Sequence, residues 1–284
     1  MATDTTVDTT APREHAVGAL AELQPTRGGR LAGFGNLLGK ELGEWFGTRR
    51  WLVQALVWLA LVDGVVAFIL FVVPRLAAQA AEPVGRDELL AQGLGLIFAL
   101  IGTAGPVGVV ILAQDELIGE RQAGTAAWTL SKPVARAAFI LAKLAANALG
   151  IALFVVGLPA LGGYAAVSLA AGGPLAVAPF VAGLGPVALA LLFYLALTVL
   201  LGVLFPQRGP VLGIALGVHF GGSLLVNLLP QLGLVLPVRL ADLGGALALG
   251  RPLPATAAAT LAATAAWSAV FVAVALWRFE RQEL

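Results

Sequence analysis

Cysteine is absent from the 284 residues, which removes disulfides, thiolate metal sites and cysteine nucleophiles together. Charge is nearly as scarce: Asp, Glu, Lys and Arg make up 12% of the chain against 59% hydrophobic residues, and the mean hydropathy is +0.93. So few ionisable groups cannot clothe a soluble globule of this length, and a polytopic membrane protein is predicted. Histidine is limited to two residues, and His219 has no second histidine near it in sequence, so nothing supports a metal site. The start of the chain lacks the basic region and apolar core of a signal peptide, carrying instead Asp4, Asp8 and five threonines before residue 11. Residues 1–30 read as a disordered tail.

What is present in quantity is long charge-free sequence. A helix needs ~20 apolar residues to cross the hydrocarbon core of a bilayer. Residues 51–73 contain one charge, Asp63, and residues 89–114, 209–238 and 252–277 contain none. The remaining run, 144–207, is 64 residues long and is broken near its middle by Gly172-Gly173-Pro174, which ends one helix before another begins. Six spans follow within residues 51–284. The runs lack the alternation of barrel strands, and unpaired backbone groups are not tolerated in lipid, so the fold class is an all-α bundle.

An even number of spans puts both termini on one side, and basic residues choose the side. With the amino end inside, 13 of the 17 Lys and Arg residues are cytoplasmic and only Arg75, Arg86, Arg239 and Arg251 are outside. Both termini are therefore expected in the cytoplasm, with the chain multi-pass in the cell's inner (plasma) membrane.

Ahead of the first span, Leu31, Phe34, Leu37, Leu38, Leu42, Trp45 and Phe46 recur at helical spacing, and Lys40, Glu41, Glu44, Arg49 and Arg50 take other positions. Residues 31–50 are thus predicted to form an amphipathic helix in the interface, anchoring the first span or docking a partner. Between the second and third spans, the loop 114–136 concentrates Asp115, Glu116, Glu120, Arg121 and Lys132. Glu116 and Glu120 lie one helical turn apart, Gly119 and Gly124 read as flexible points, and Ser131-Lys132-Pro133 stops a second short segment. Pro133 suits the first turn of the following helix. A merely solvated linker is the plain alternative.

Inside the spans, Asp63 lies near the centre of the first, where an ionised carboxylate costs at least ~2.5 kcal/mol on insertion scales. It should face protein or water, either as part of a substrate or proton path that His219 could share, or as a protonated or hydrogen-bonded group between helices. Gly209, Gly213, Gly217 and Gly221 recur every fourth residue along the fifth span, a face on which another backbone can approach closely, within the chain or from a second protomer. Asn227 stands at the outer end of that span as a weaker gate candidate.

Glu120-Arg121-Gln122-Ala123-Gly124-Thr125, then Leu130-Ser131-Lys132-Pro133-Val134-Ala135-Arg136 and Lys143, resemble the permease subunits of ABC-2 type transporters, a branch that includes copper-site maturation and antibiotic-export permeases. The layout is similar too: an interfacial helix, six spans, a cytoplasmic loop between spans two and three, and an external re-entrant segment, here 229–254. The resemblance implies a membrane subunit of an ATP-binding cassette exporter. It implies a separate ATPase dimer carrying ATP and Mg, a second permease copy, identical or paralogous, and lipid around the bundle. The coupling residues it implies are Asp115, Glu116, Glu120, Arg121, Gly124, Thr125, Trp128 and Lys132, with Glu116, Glu120 and Arg121 as ATPase contacts. Consistently, there is no phosphate-cradling loop: Gly35-Asn36-Leu37-Leu38-Gly39-Lys40-Glu41 has the wrong glycine spacing and a glutamate where magnesium needs a hydroxyl. No cofactor bound by the chain itself and no nucleic-acid partner are expected. An intramembrane enzyme lacks its motifs in the spans, while a secondary transporter, a channel or a membrane scaffold remain the alternatives.

Overall fold

The computed structural model describes Gly29 and residues 31–79 and 85–282, so the tail expected over 1–30 lies, Gly29 apart, outside the described residues. All regular structure among them is helical. Helix α1 spans Phe34–Phe46, α2 Arg50–Gln79, and α3 Arg86–Ala113, which runs through Gln114 into α4, Asp115–Gln122. Then follow α5 (Thr125–Leu130), α6 (Arg136–Ala171), α7 (Val177–Leu204), α8 (Arg208–Leu228), α9 (Leu240–Ala248) and α10 (Ala257–Glu280). Six of these, α2, α3 with α4, α6, α7, α8 and α10, are long and apolar enough to cross a membrane, as the charge-free runs require.

The Gly172-Gly173-Pro174 break works as read: Gly172 takes φ +72° as the left-handed cap of α6, and α7 starts at Val177. Pro133 does not enter the following helix. Ala135 is the extended residue before α6, and the first helical residue is Arg136. Helices α2 and α6 are not uniform: π-helical stretches at Leu59–Asp63, Phe68–Val72 and Ile151–Gly157 widen their turns where the two pack together.

Helix α7 is the hub, buried along most of its length and packed on α3, α8, α9 and α10. Outward apolar faces, such as Leu52, Val53, Leu56 and Val57 of α2 or Trp267, Val270, Val274 and Trp277 of α10, are exposed. An apolar exterior around a close-packed interior is what a lipid solvent selects.

After α8 the chain makes 3-10 turns at Pro230–Leu234 and Pro237–Arg239 and folds back as α9 between α3 and α7. Glycines fix that position. A Cβ on Gly244 would lie 2.6 Å from the Gly183 carbonyl oxygen, and one on Gly102 would collide with Ala241. The α7 and α9 backbones touch, and only hydrogen fits between them. Gly244→Ala is therefore expected to cost ~1–3 kcal/mol through overpacking, seen as a lower melting temperature in detergent. Gly213→Ala, on open space, should leave it unchanged or slightly higher.

Candidate functional site

At one end of the bundle, α1, α4, α5, the start of α6 and the end of α10 gather most of the charge. Helix α4 continues the line of α3 and then reverses at Gly124, whose φ of +70° is the hinge into α5. Gly119 is no hinge: it lies inside α4, packed under the Asp115 carboxylate. Thr125 Oγ1 donates to the Glu120 carbonyl at 3.2 Å, and Ser131 Oγ donates to the Trp128 carbonyl at 2.7 Å, closing the two ends of α5. The tip stays bare. Trp128 is 65% exposed with Lys132 Nζ 3.6 Å above its ring, and Gly124 and Thr125 are exposed beside it.

Glu116 and Glu120 do not share that exposure. One turn apart on α4, they face inward onto a cation, Lys143 of α6, whose Nζ is 3.1 Å from Glu120 Oε1 and 3.7 Å from Glu116 Oε2. Glu41 of α1 completes the coordination at 2.9 Å. The Lys143 side chain is 2% exposed, so this charge depends entirely on its carboxylates. Around it, Arg50 reaches Glu116 Oε1 at 3.0 Å and stacks over Trp45, whose indole N–H donates to Asn147 Oδ1 at 3.3 Å. Lys40 binds Glu120 at 2.6 Å and lies 3.5 Å from both Glu41 and Glu44. Glu41, Glu44 and Glu120 approach one another closely enough to hold a metal ion, but the Lys40 ammonium already supplies positive charge at all three.

The cluster thus sets four carboxylates against three cations. Burial pushes the Glu41 carboxyl upward, and the pull of Lys143 does not offset it. For Lys40 burial works the other way, yet the bond to Glu120 and the carboxylates of Glu41 and Glu44 outweigh it and raise the ammonium. Helix α1 therefore differs from a simple interfacial helix. Its buried stripe is Leu37, Glu41 and Trp45, so a glutamate occupies the inner face, and Gly150 on α6 leaves room for the Trp45 ring.

Arg121 also turns inward, onto the carbonyls of Gly202 and Val203 at the end of α7, each 3.3 Å away. Asp115 stays half exposed and pairs with Arg208 at 2.7 Å. Four of the residues read from the sequence, Gly124, Thr125, Trp128 and Lys132, form the open tip. Glu116, Glu120 and Arg121 brace the helix instead. Glu41, Lys143, Arg50 and Asn147 were missed as site residues. One signal pointed to Lys143: it is the last charge before a 64-residue charge-free run, and a cation there needs a partner.

Asp63 and His219 are not joined. Asp63 faces the Cβ-less backbone of Gly162 and Gly163 on α6, with both oxygens buried and unbonded. His219 is a satisfied histidine whose Nε2 lies 3.0 Å from the Thr103 carbonyl, which fixes it as the donor, leaving Nδ1 to accept from Tyr194 Oη at 3.2 Å. It lines a cavity of about 130 Å³ with Thr103, Tyr194, Ser223 and Asp242. Gly209, Gly213, Gly217 and Gly221 meet nothing within 4 Å of a built Cβ, so the contact within the chain is not made among the described residues. Asn227 is exposed at the far end of the same helix.

A six-span helical membrane protein with a braced, tip-exposed loop between its second and third spans is the class these features define. The family model for ABC-2 family transporter proteins matches residues 36–284, and the chain belongs to that family. A comparison with the curated proteins finds no match.

Proposed function

We propose that this chain is the permease subunit of an ATP-driven exporter in the plasma membrane, working as two permeases and two ATPase subunits with both termini in the cytoplasm. The observation that carries the reading is the contrast within one loop. Helix α4 is fastened to the bundle by a buried charge cluster, while α5 holds a large aromatic side chain in the open. A rigid stem with an exposed aromatic anchor suits a surface that receives force from a docked protein. The contacts with the ATPase are then Trp128, Lys132, Thr125 and Gly124. Glu116, Glu120 and Arg121 transmit the force inward. ATP and Mg sit on the partner, family membrane components typically being non-catalytic.

The open glycine face of α8 supports pairing with a second permease. Its backbone is exposed along Gly209, Gly213 and Gly217, and small residues at this spacing let helices approach to backbone contact. Gly213→Leu and Gly217→Leu should leave the single chain's melting temperature unchanged while shifting it from dimer to monomer in detergent, read by light scattering. A dimer of undiminished strength in both variants would remove α8 from the interface.

Affinity purification of the full-length chain from its native membrane tests the whole reading. It should bring down a protein with a phosphate-binding loop and ATPase activity, in equal amounts. A chain recovered alone whose transport follows an ion gradient would be a secondary transporter.

A further inference from the structure

The last turn of α10 and the residues just after it are held by several groups at once. Phe279, 1% exposed, stacks on Phe139 of α6 with centroids 5.6 Å apart and planes 4° from parallel. Arg136, the first residue of α6, donates to the carbonyls of Glu280 at 3.0 Å and Gln282 at 2.5 Å, putting a cation on the negative end of α10. Beyond the helix, Gln282 uses both halves of its amide. Its Nε2 donates to the Val203 carbonyl at 2.8 Å, and its Oε1 accepts from Arg121 of α4. The guanidinium of Arg121 also lies 5.7 Å from the Phe279 ring.

We infer that this turn, residues 279–282, is a strap through which α4 pulls on span six, with Gln282 as its positioning residue. The proposal rests on the loop being the ATPase contact. Its physical basis is that α4, besides the exposed pair of Asp115 with Arg208 of α8, has two inward attachments of different kinds. Glu116 and Glu120 tie it to α1 and α6, and Arg121 ties it to α7 and α10. The first alone would carry a push only into α1 and α6. The second joins the ends of α7 and α10, so that the three elements move as one.

Glutamine is the side chain that fits here because a donor and an acceptor are needed on one planar group, facing a carbonyl and a guanidinium. Gln282→Glu keeps the acceptor for Arg121 and strengthens it with charge, but opposes its other oxygen to the Val203 carbonyl. Gln282→Ala loses both. The half-buried Arg121, whose Nε already lacks a partner, is then left with the two longer bonds to Gly202 and Val203.

Two measurements test the strap. In the permease alone, backbone amide exchange over Asp115–Gln122 should quicken about tenfold in Gln282→Ala, the scale expected for losing one hydrogen-bonded tie, with Gln282→Glu in between. Unchanged exchange in α4 would overturn the inference whatever the partner does. In the permease–ATPase complex, a single cysteine at position 256, at the far end of α10, reports the transmitted motion. Its thiol labelling rate should respond to ATP in the wild-type background and not in Gln282→Ala, with the ATPase still bound. An undiminished response, or an ATPase released by Gln282→Ala, would also overturn it. If the parent chain binds no ATPase at all, the functional reading fails and the exchange experiment alone decides the strap.

Discussion

Lys143→Ala should be the most damaging single substitution at the basic end of the bundle. Its ammonium is the shared counter-charge of Glu41, Glu116 and Glu120, at 2% exposure. Removing one partner of a buried ion pair costs ~3–5 kcal/mol, because the surviving charges remain buried without compensation. Here three carboxylates lose it at once, and Lys40 and Arg50 compensate them only in part. The expected result is a protein that unfolds well below the parent in thermal scans, with α1 released first because Glu41 is its only buried ionic tie to α6 among the described residues. Adding Glu41→Gln to Lys143→Ala should recover part of the loss, since one of the stranded charges is gone. Two additive substitutions would mean that Glu41 and Lys143 do not interact. A Lys143→Ala protein as stable as the parent would show that the cluster is not buried as described.

Trp128→Ala should leave the fold intact and weaken capture of the ATPase about 30-fold or more. An aromatic side chain 65% exposed contributes little to the stability of the chain that carries it. Desolvated in a partner's pocket, the same side chain belongs to the class whose truncation costs ~2 kcal/mol or more, about 30-fold in affinity. Lys132 sits on the ring, so Lys132→Ala should weaken binding less and through the charge alone. Pull-down of the ATPase with each variant, alongside a melting curve of the permease, separates the two effects. A Trp128→Ala variant that melts normally and binds normally would move the docking surface elsewhere.

The same contrast explains what could be read without coordinates. Spans declare themselves because lipid excludes charge over ~20 residues, and a glycine-proline break within 144–207 fixes the only ambiguous count. The loop declares itself because five charged residues within 19 have no other reason to stand between two apolar runs. Which way each charge points does not follow from such rules. Glu41 stands among residues that spacing assigns to a polar face, yet it points inward, because its partner Lys143 lies 102 positions later in the chain. Glu120 and Arg121 are neighbours in sequence and brace α4 against different helices.

Glycine shows the same limit. The regular stripe on α8 is visible as a pattern, but it meets open space. Contacts that do need glycine, such as those at Gly102, Gly108, Gly150, Gly162, Gly183 and Gly244, are spread over four helices, and each is dictated by what happens to cross there. Periodicity reveals a face and is silent about its partner.

The absence of cysteine makes the central claim directly measurable. Single cysteines at positions 128 and 116, each carrying a short thiol-reactive crosslinker, can be compared in native membranes without a competing thiol from this chain. The account predicts that position 128 captures a protein with a phosphate-binding loop and that position 116, behind the brace, captures none. Equal capture at both, or capture at 116 alone, would contradict it.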